Sequence, residues 1–335
     1  MIYRNKTHFL IGLVLLLLIN PLMTFSEGDQ DLKNELQNKE PLRFKTTVIG
    51  GDAEKQIGYF LTLLQKNPNS ALANQGLCGA YSASNPKQAV HYCTKAIELN
   101  GEDSLSYQNL GGVYLNLGLT EQAISALKKS IEIAPQEGAL AYTDLCGAYL
   151  ALKQPDTAIE QCQKALKLNS KIANIHANLG QAYSQKGLLD DALSEYKQAL
   201  NLDPKLFVAY IDMGTAYGKK QQFSEGIPYL QKAIALDPHN FLGEYDLGTL
   251  YLKSAEFPLA IKHLERATEL NPGEKLVLYQ LSVAYCLNQQ RDQADKEYEK
   301  LKQFSNVQNL DQLQTIFSKY CPQSIPTITY NPDSL

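Results

Sequence analysis

An all-α array of stacked helix pairs is the fold class this sequence predicts, and three observations predict it. Tyrosines fall at 81, 114, 149, 183, 217, 251 and 285, at intervals of 33, 35, 34, 34, 34 and 34 residues. Around each tyrosine the same grammar recurs. An apolar and a small residue precede it at helical spacing, as Leu179 and Gly180 precede Tyr183; a turn follows; then a second helix presents residues such as Ala192, Tyr196 and Ala199 on one face. Proline follows most second helices, at 135, 204, 238 and 272, where it stops a helix and resets the chain. A period near 34 sustained this long marks a repeat protein, in which each unit buries its apolar stripe against its neighbours.

The elements follow in order. Residues 1–26 have the layout of a secretory signal peptide: Arg4 and Lys6, then the apolar run FLIGLVLLLLI, then the small residues Thr24 and Ser26 before a cut at Glu27. The rival is an uncleaved anchor at residues 9–25, interrupted by Asn20 and Pro21 and at the short limit for spanning a bilayer. No cysteine lies near the cut, which argues against a lipid-anchored lipoprotein. Residues 27–52 are polar and irregular and read as a linker. AEKQIGYFLTLLQKNP then looks like a second helix without its first. Seven full copies begin near Ala71, Ser104, Ala139, Ala173, Phe207, Phe241 and Lys275, so the array occupies 53–306. DQLQTIFSKY looks like a terminal cap, and residues 307–335 are read as that capping helix plus an extended tail. Departures are small. The first copy is one residue short in its turn, Gly138 is an extra residue, Ser170 stands where proline is usual, and Gly226 replaces an alanine at an expected cost of up to about 1 kcal/mol.

Composition narrows the function. The chain has 335 residues, 44% hydrophobic and 20% charged, with a net charge of −4, and it lacks the clustered lysine and arginine that nucleic-acid binding requires. Nucleic acid is therefore not an expected partner, and a membrane is one only if the amino-terminal segment is retained. After His8 the histidines are His91, His176, His239 and His263, on separate helices or turns, and none sits in H-E-x-x-H. G-x-S-x-G and phosphate-loop fingerprints are absent, and the tail is too short for a catalytic domain. The chain reads as a non-enzyme with no cofactor and no metal site.

Cysteine is the informative residue type. LCGAY occurs at 77–81 and again at 145–149, whereas the sister segments NLGGVY, NLGQAY, DMGTAY and DLGTLY carry glycine in place of the cysteine. Cys78 with Cys93, and Cys146 with Cys162, stand at similar heights on opposite arms of a helix pair. Other copies fill these two places with Gly111 and Leu127, Gly180 and Tyr196, or Gly248 and Leu264. A glycine-sized contact is where helix backbones come within disulfide reach, and export supplies the oxidising compartment. Two disulfides are expected, with Cys286 and Cys321 as a third pair that would tie the terminal cap to the seventh copy. The alternative is that the thiols pack, reduced, as small hydrophobes. No C-x-x-C occurs, which argues against a thiol-exchange enzyme.

With these landmarks recurring in order, the chain resembles the tetratricopeptide-repeat family. The resemblance implies a right-handed superhelical solenoid of about seven helix-turn-helix units whose first helices line a concave groove. Two residues before the small position, the side chain points away from the second helix. In sequence those residues are Gly76, Asn109, Asp144, Asn178, Asp212, Asp246 and Gln280, a polar ladder after its first member. In the superhelix of O-linked N-acetylglucosamine transferases, asparagines on this surface hold an extended peptide backbone, a task suited to an amide that both donates and accepts. The aspartates here favour a segment bearing basic groups or exposed N–H. Tyr245 and Tyr279, just before the rungs, offer contact area, and Leu105, Leu140, Val208, Leu242 and Leu276 lie one turn earlier. The lysine and arginine of a carboxylate clamp are missing. The resulting expectation is an exported, periplasmic or secreted scaffold or adaptor that binds an extended peptide of a protein partner. Its alternatives are a membrane-anchored structural or assembly subunit of a cell-envelope complex, and then a redox or other enzyme.

Overall fold

The computed structural model describes residues 51–303, and among them every regular element is helical. The segments read as signal peptide (1–26) and as cap and tail (307–335) lie outside the described residues, as does the linker up to residue 50. The chain divides into two compact units, one ending at Lys171 and the other beginning at Ile172.

The first unit contains α1 (Gly51–Lys66), α2 (Ala71–Tyr81), α3 (Pro86–Leu99), α4 (Ser104–Asn116), α5 (Thr120–Ile133), α6 (Ala139–Ala151) and α7 (Pro155–Leu168). α1 is the expected second helix without a first. Its Phe60 and Leu63 pack on Ala73 and Leu77 of α2, and a Cβ at Gly76 would stand 2.3 Å from the Phe60 ring. The first place in the ladder therefore has no side chain because α1 covers it. A 3₁₀ turn at Pro135–Glu137 leads to the extra residue, Gly138.

The second unit contains α8 (Ala173–Gln185), α9 (Leu189–Leu202), α10 (Phe207–Lys219), α11 (Phe223–Leu236), α12 (Phe241–Lys253), α13 (Phe257–Leu270), α14 (Lys275–Leu287) and α15 (Arg291–Lys302). The first helices of all seven pairs start at the residues the periodicity marks.

Each pair closes at one pinch. A Cβ added to Gly111 would meet Leu127 at 2.5 Å, at Gly180 it would meet Tyr196 at 2.6 Å, at Gly214 Leu230 at 2.4 Å, and at Gly248 Leu264 at 2.7 Å. Cysteines occupy this pinch in the first and third copies. The Cα atoms of Cys78 and Cys93 are 4.8 Å apart, and those of Cys146 and Cys162 are 5.4 Å apart, with all four side chains fully buried. Gly226 is explained by the same geometry. A Cβ there would stand 2.9 Å from the Gly214 carbonyl oxygen, so the helix propensity given up avoids a backbone clash.

Turns within pairs pass through a left-handed residue four after the tyrosine: Gly118, Lys153, Gly187, Gln221, Ala255 and Gln289, with φ between 58° and 78°. The short first copy dispenses with it. Asn85 caps α3 by accepting from the Gln88 N–H at 3.3 Å, and Pro86 follows at the first helical position. Between pairs, Asn67, Asn100, Asn169, Asp203 and Asp237 each accept from the backbone N–H two residues on. That side-chain turn explains why Ser170 serves in place of a proline. The tyrosine row lines the core: Tyr251 and Tyr285 are buried and the other five half-buried.

Candidate functional site

The ladder differs between the two units. In the first, Asn109 on α4 is 1% exposed, and neither its Nδ2 nor its Oδ1 has a hydrogen-bond partner. At the start of the same helix the polar groups are paired with one another. The Gln75 amide donates to Asp103 Oδ2 at 2.6 Å, and the Ser106 backbone N–H donates to the same oxygen at 3.2 Å. Asp144, the next rung on α6, is half-buried.

In the second unit the four rungs, Asn178, Asp212, Asp246 and Gln280 on α8, α10, α12 and α14, are all half-buried. Successive rungs are linked sideways. Thr215 on α10 donates to Asp246 Oδ2 at 3.1 Å. Thr249 on α12 donates to Gln280 Oε1 at 2.6 Å, and Gln280 Nε2 donates to the Tyr245 hydroxyl at 3.0 Å. Burial, with the neighbouring Asp246 charge, pushes Asp212 up to about 7, against the opposing pull of Lys219. Burial likewise pushes Asp246 up to about 6, although the Thr215 hydrogen bond and Lys219 favour its charged form. Tyr245 is pushed up to about 12, first by burial and then by Asp246. Burial also raises Tyr279.

The structure thus brings together Asp212 with Asp246, and Tyr245 with Gln280; Tyr279 stands beside the second pair without joining its hydrogen bonds. Sequence reasoning missed Thr215 and Thr249, yet each lies three residues after a rung, where helix geometry puts it on the same face. It also missed two histidine–carboxylate hydrogen bonds. His176 Nδ1 meets Glu195 Oε2 at 2.7 Å, and His263 Nδ1 meets Glu244 Oε2 at 2.7 Å. His176 and Glu244 both stand seven residues before their copy's tyrosine, and Glu195 and His263 occupy the matching place on the second helices. The second pair is the first with its partners exchanged, a pattern readable once the copies are aligned.

Cys286 on α14 is buried at 1% exposure, and its expected partner Cys321 lies outside the described residues. Among the described residues no cluster of three or more His, Cys, Asp or Glu is placed to hold a metal ion, and no helix is long and apolar enough to cross a membrane.

Family models match the periodic region. A TPR repeat model covers residues 147–187 and 180–221, and two tetratricopeptide repeat models cover 105–137 and 211–274. Among solved structures, the chain is similar to one from the APC/C hetero-tetramer Cut9–Hcn1, with a TM-score of 0.67 and 18% identity over 84% of this chain; it spans 52% of that longer chain. Pseudomonas aeruginosa PilF gives a TM-score of 0.56 at 22% identity, over 64% of this chain and 99% of PilF. PilW, a type IV pilus biogenesis factor, gives 0.58 at 18% identity, over 63% of this chain and 98% of PilW. At such identities the likeness is one of fold. No curated protein matches the chain in sequence.

Proposed function

Because the chain is a tetratricopeptide-repeat protein, we propose that it is an interaction scaffold that holds an extended segment of a partner protein against its first helices, outside the cytoplasm. The observation that carries this reading is the sideways linkage of the rungs in the second unit. Thr215 on Asp246, and Thr249 with Tyr245 on Gln280, fix side chains that are only half-buried and still face solvent. Ordering polar groups before a ligand arrives lowers the entropy lost on binding. Asp212 and Asp246 add acceptors for basic side chains or peptide N–H groups.

Location outside the cytoplasm is supported by the amino-terminal signal pattern and by the two close cysteine pairs, which we read as disulfides. The test is the triple replacement Asn178→Ala, Asp212→Ala, Asp246→Ala, assayed by crosslinked capture of partner from the exported fraction. Capture should be lost while helicity, read by circular dichroism, is kept. Undiminished capture would move the partner to another surface.

A further inference from the structure

The first-helix face of the second unit carries two rows of side chains. One row is apolar. Val208 on α10, Leu242 on α12 and Leu276 on α14 occupy the same place in successive copies, and the two leucines are each 50% exposed, against 8% for Leu105 in the second copy. Tyr245 and Tyr279 follow three residues later, half-buried, and Phe241 stacks on Tyr245 with ring centroids 6.0 Å apart. The other row is polar. Asp212, Asp246 and Gln280 lie four residues after Val208, Leu242 and Leu276, one helical turn along the same face. α12 lies against both α10 and α14, so both rows continue from helix to helix.

The polar row lacks a cation. Among the described residues neither Asp212 nor Asp246 is in an ion pair, although Thr215, three residues after Asp212, donates to Asp246 Oδ2 and so brings the two carboxylates side by side. Lys219 pulls on both from a distance, its Nζ donating to Ser184 Oγ on α8 at 3.0 Å. The other titratable neighbours, Tyr196 on α9 and Tyr245 on α12, are held neutral by burial. Negative charge beside exposed leucines repels an anionic lipid surface or a second copy of this acidic chain, and complements a polypeptide segment that is both basic and aliphatic. A basic side chain suits both rows, since its methylene stem packs on leucine while its head reaches a carboxylate.

We propose that the face of α10, α12 and α14 docks a partner segment in which a lysine or arginine enters between Asp212 and Asp246 while an aliphatic side chain about three residues away covers Leu242 and Leu276. The inference rests on the first-helix face being the binding face, and it names the chemistry of what binds there. The spacing follows from the rows. Packed helices stand roughly 8–10 Å apart and an extended segment advances ~3.3 Å per residue, so it meets a new helix about every three residues. The seat for the cation lies between α10 and α12, and the leucines lie on α12 and α14, one helix further on.

A random peptide library displayed on phage and selected on the immobilised full-length protein tests this, with the best binder resynthesised carrying fluorescein and titrated by anisotropy. Selected sequences should share a lysine or arginine with an aliphatic residue about three positions away. Binding of the labelled peptide should tighten between about pH 5 and pH 8, as Asp212 and Asp246 lose their protons. Asp212→Asn with Asp246→Asn should weaken it about tenfold or more and remove that pH dependence. Leu242→Ser with Leu276→Ser, at exposed positions that leave the core intact, should weaken it about tenfold and keep the pH dependence. Selected peptides without a basic residue, binding indifferent to either double variant or tightening as pH falls, or no selected binder at all would overturn the proposal. So would a wild-type dimer that the serine variant makes monomeric, which would assign the face to a second copy. If the peptides fail in any of these ways while the rung triple variant still loses its partner, this inference falls and the proposed function stands; if that variant keeps its partner too, both fall.

Discussion

In residues 51–171 the pinch between paired helices is filled by two cysteines in two of three copies. In residues 172–303 three of four copies fill it with a glycine beneath Tyr196, Leu230 or Leu264. What differs is what holds the paired helices. The second unit relies on burial of a large side chain, about 1.5–3 kcal/mol for a leucine, which is indifferent to redox conditions. In two of its three copies the first unit sets a cysteine pair there instead, which we read as a disulfide, and its stability should then follow the compartment.

The largest expected effect comes from breaking that bond. Closing loops of 15 and 16 residues, each bridge should contribute about 3 kcal/mol. Hydrogen exchange read by mass spectrometry, with and without reductant, should show α2, α3, α6 and α7 losing about that much protection while α8 to α13 are unchanged. Thiol titration in denaturant without reductant should find no free sulfhydryl. Six free thiols, or a loss spread evenly over both units, would erase the contrast.

The ladder shows the same division in its charges. In the first unit the rung Asn109 is buried, whereas in the second two carboxylates stand within reach of one another's charge. Asp212 and Asp246 have folded values near 7 and 6, raised from an ordinary 3.8. The folded state therefore binds more protons than the unfolded one between about pH 4 and pH 7. Their contribution to stability is fully present below pH 4 and is lost as pH rises through 6 and 7. Urea midpoints should fall across that window, and Asp212→Asn should flatten the fall and raise the midpoint at pH 8. A wild-type midpoint that climbs with pH would show the pair to be better solvated or better paired than the geometry indicates.

Much of this was legible in the sequence. The seven first-helix starts and the cysteine positions followed from the tyrosine spacing, because one register fixes which residues meet across a hairpin. The lateral bonds were not legible. Thr215 and Thr249 act on rungs of the following copy, 31 residues on, and that contact depends on how far one pair is rotated on the next, which periodicity within a copy does not encode. The exchange of His176 and Glu195 for Glu244 and His263 was in view but needed the copies read against one another instead of along the chain. The reason for Gly226 was not legible, because propensity is a property of one helix, whereas the Gly214 carbonyl that crowds it belongs to another.

The smallest effect concerns the turns, where both units again face one demand with different residues. The left-handed position is glycine at 118 and 187 but Lys153, Gln221, Ala255 and Gln289 elsewhere, with Ala255 at φ 63°. A residue with a Cβ loses roughly 1–2 kcal/mol in that region. Glycine avoids this but gives up about 0.5–1 kcal/mol of additional chain entropy. Alanine has no polar side chain to compensate, so Ala255→Gly should gain about 0.5–1 kcal/mol, and Gly187→Ala, where a Cβ would meet nothing within 4 Å, should lose about as much. Because neither change adds or removes a side-chain contact at Gly187, urea midpoints that move oppositely in the two variants isolate the backbone term. Movement in the same direction would mean that the turn at Ala255 relaxes out of the left-handed region in solution.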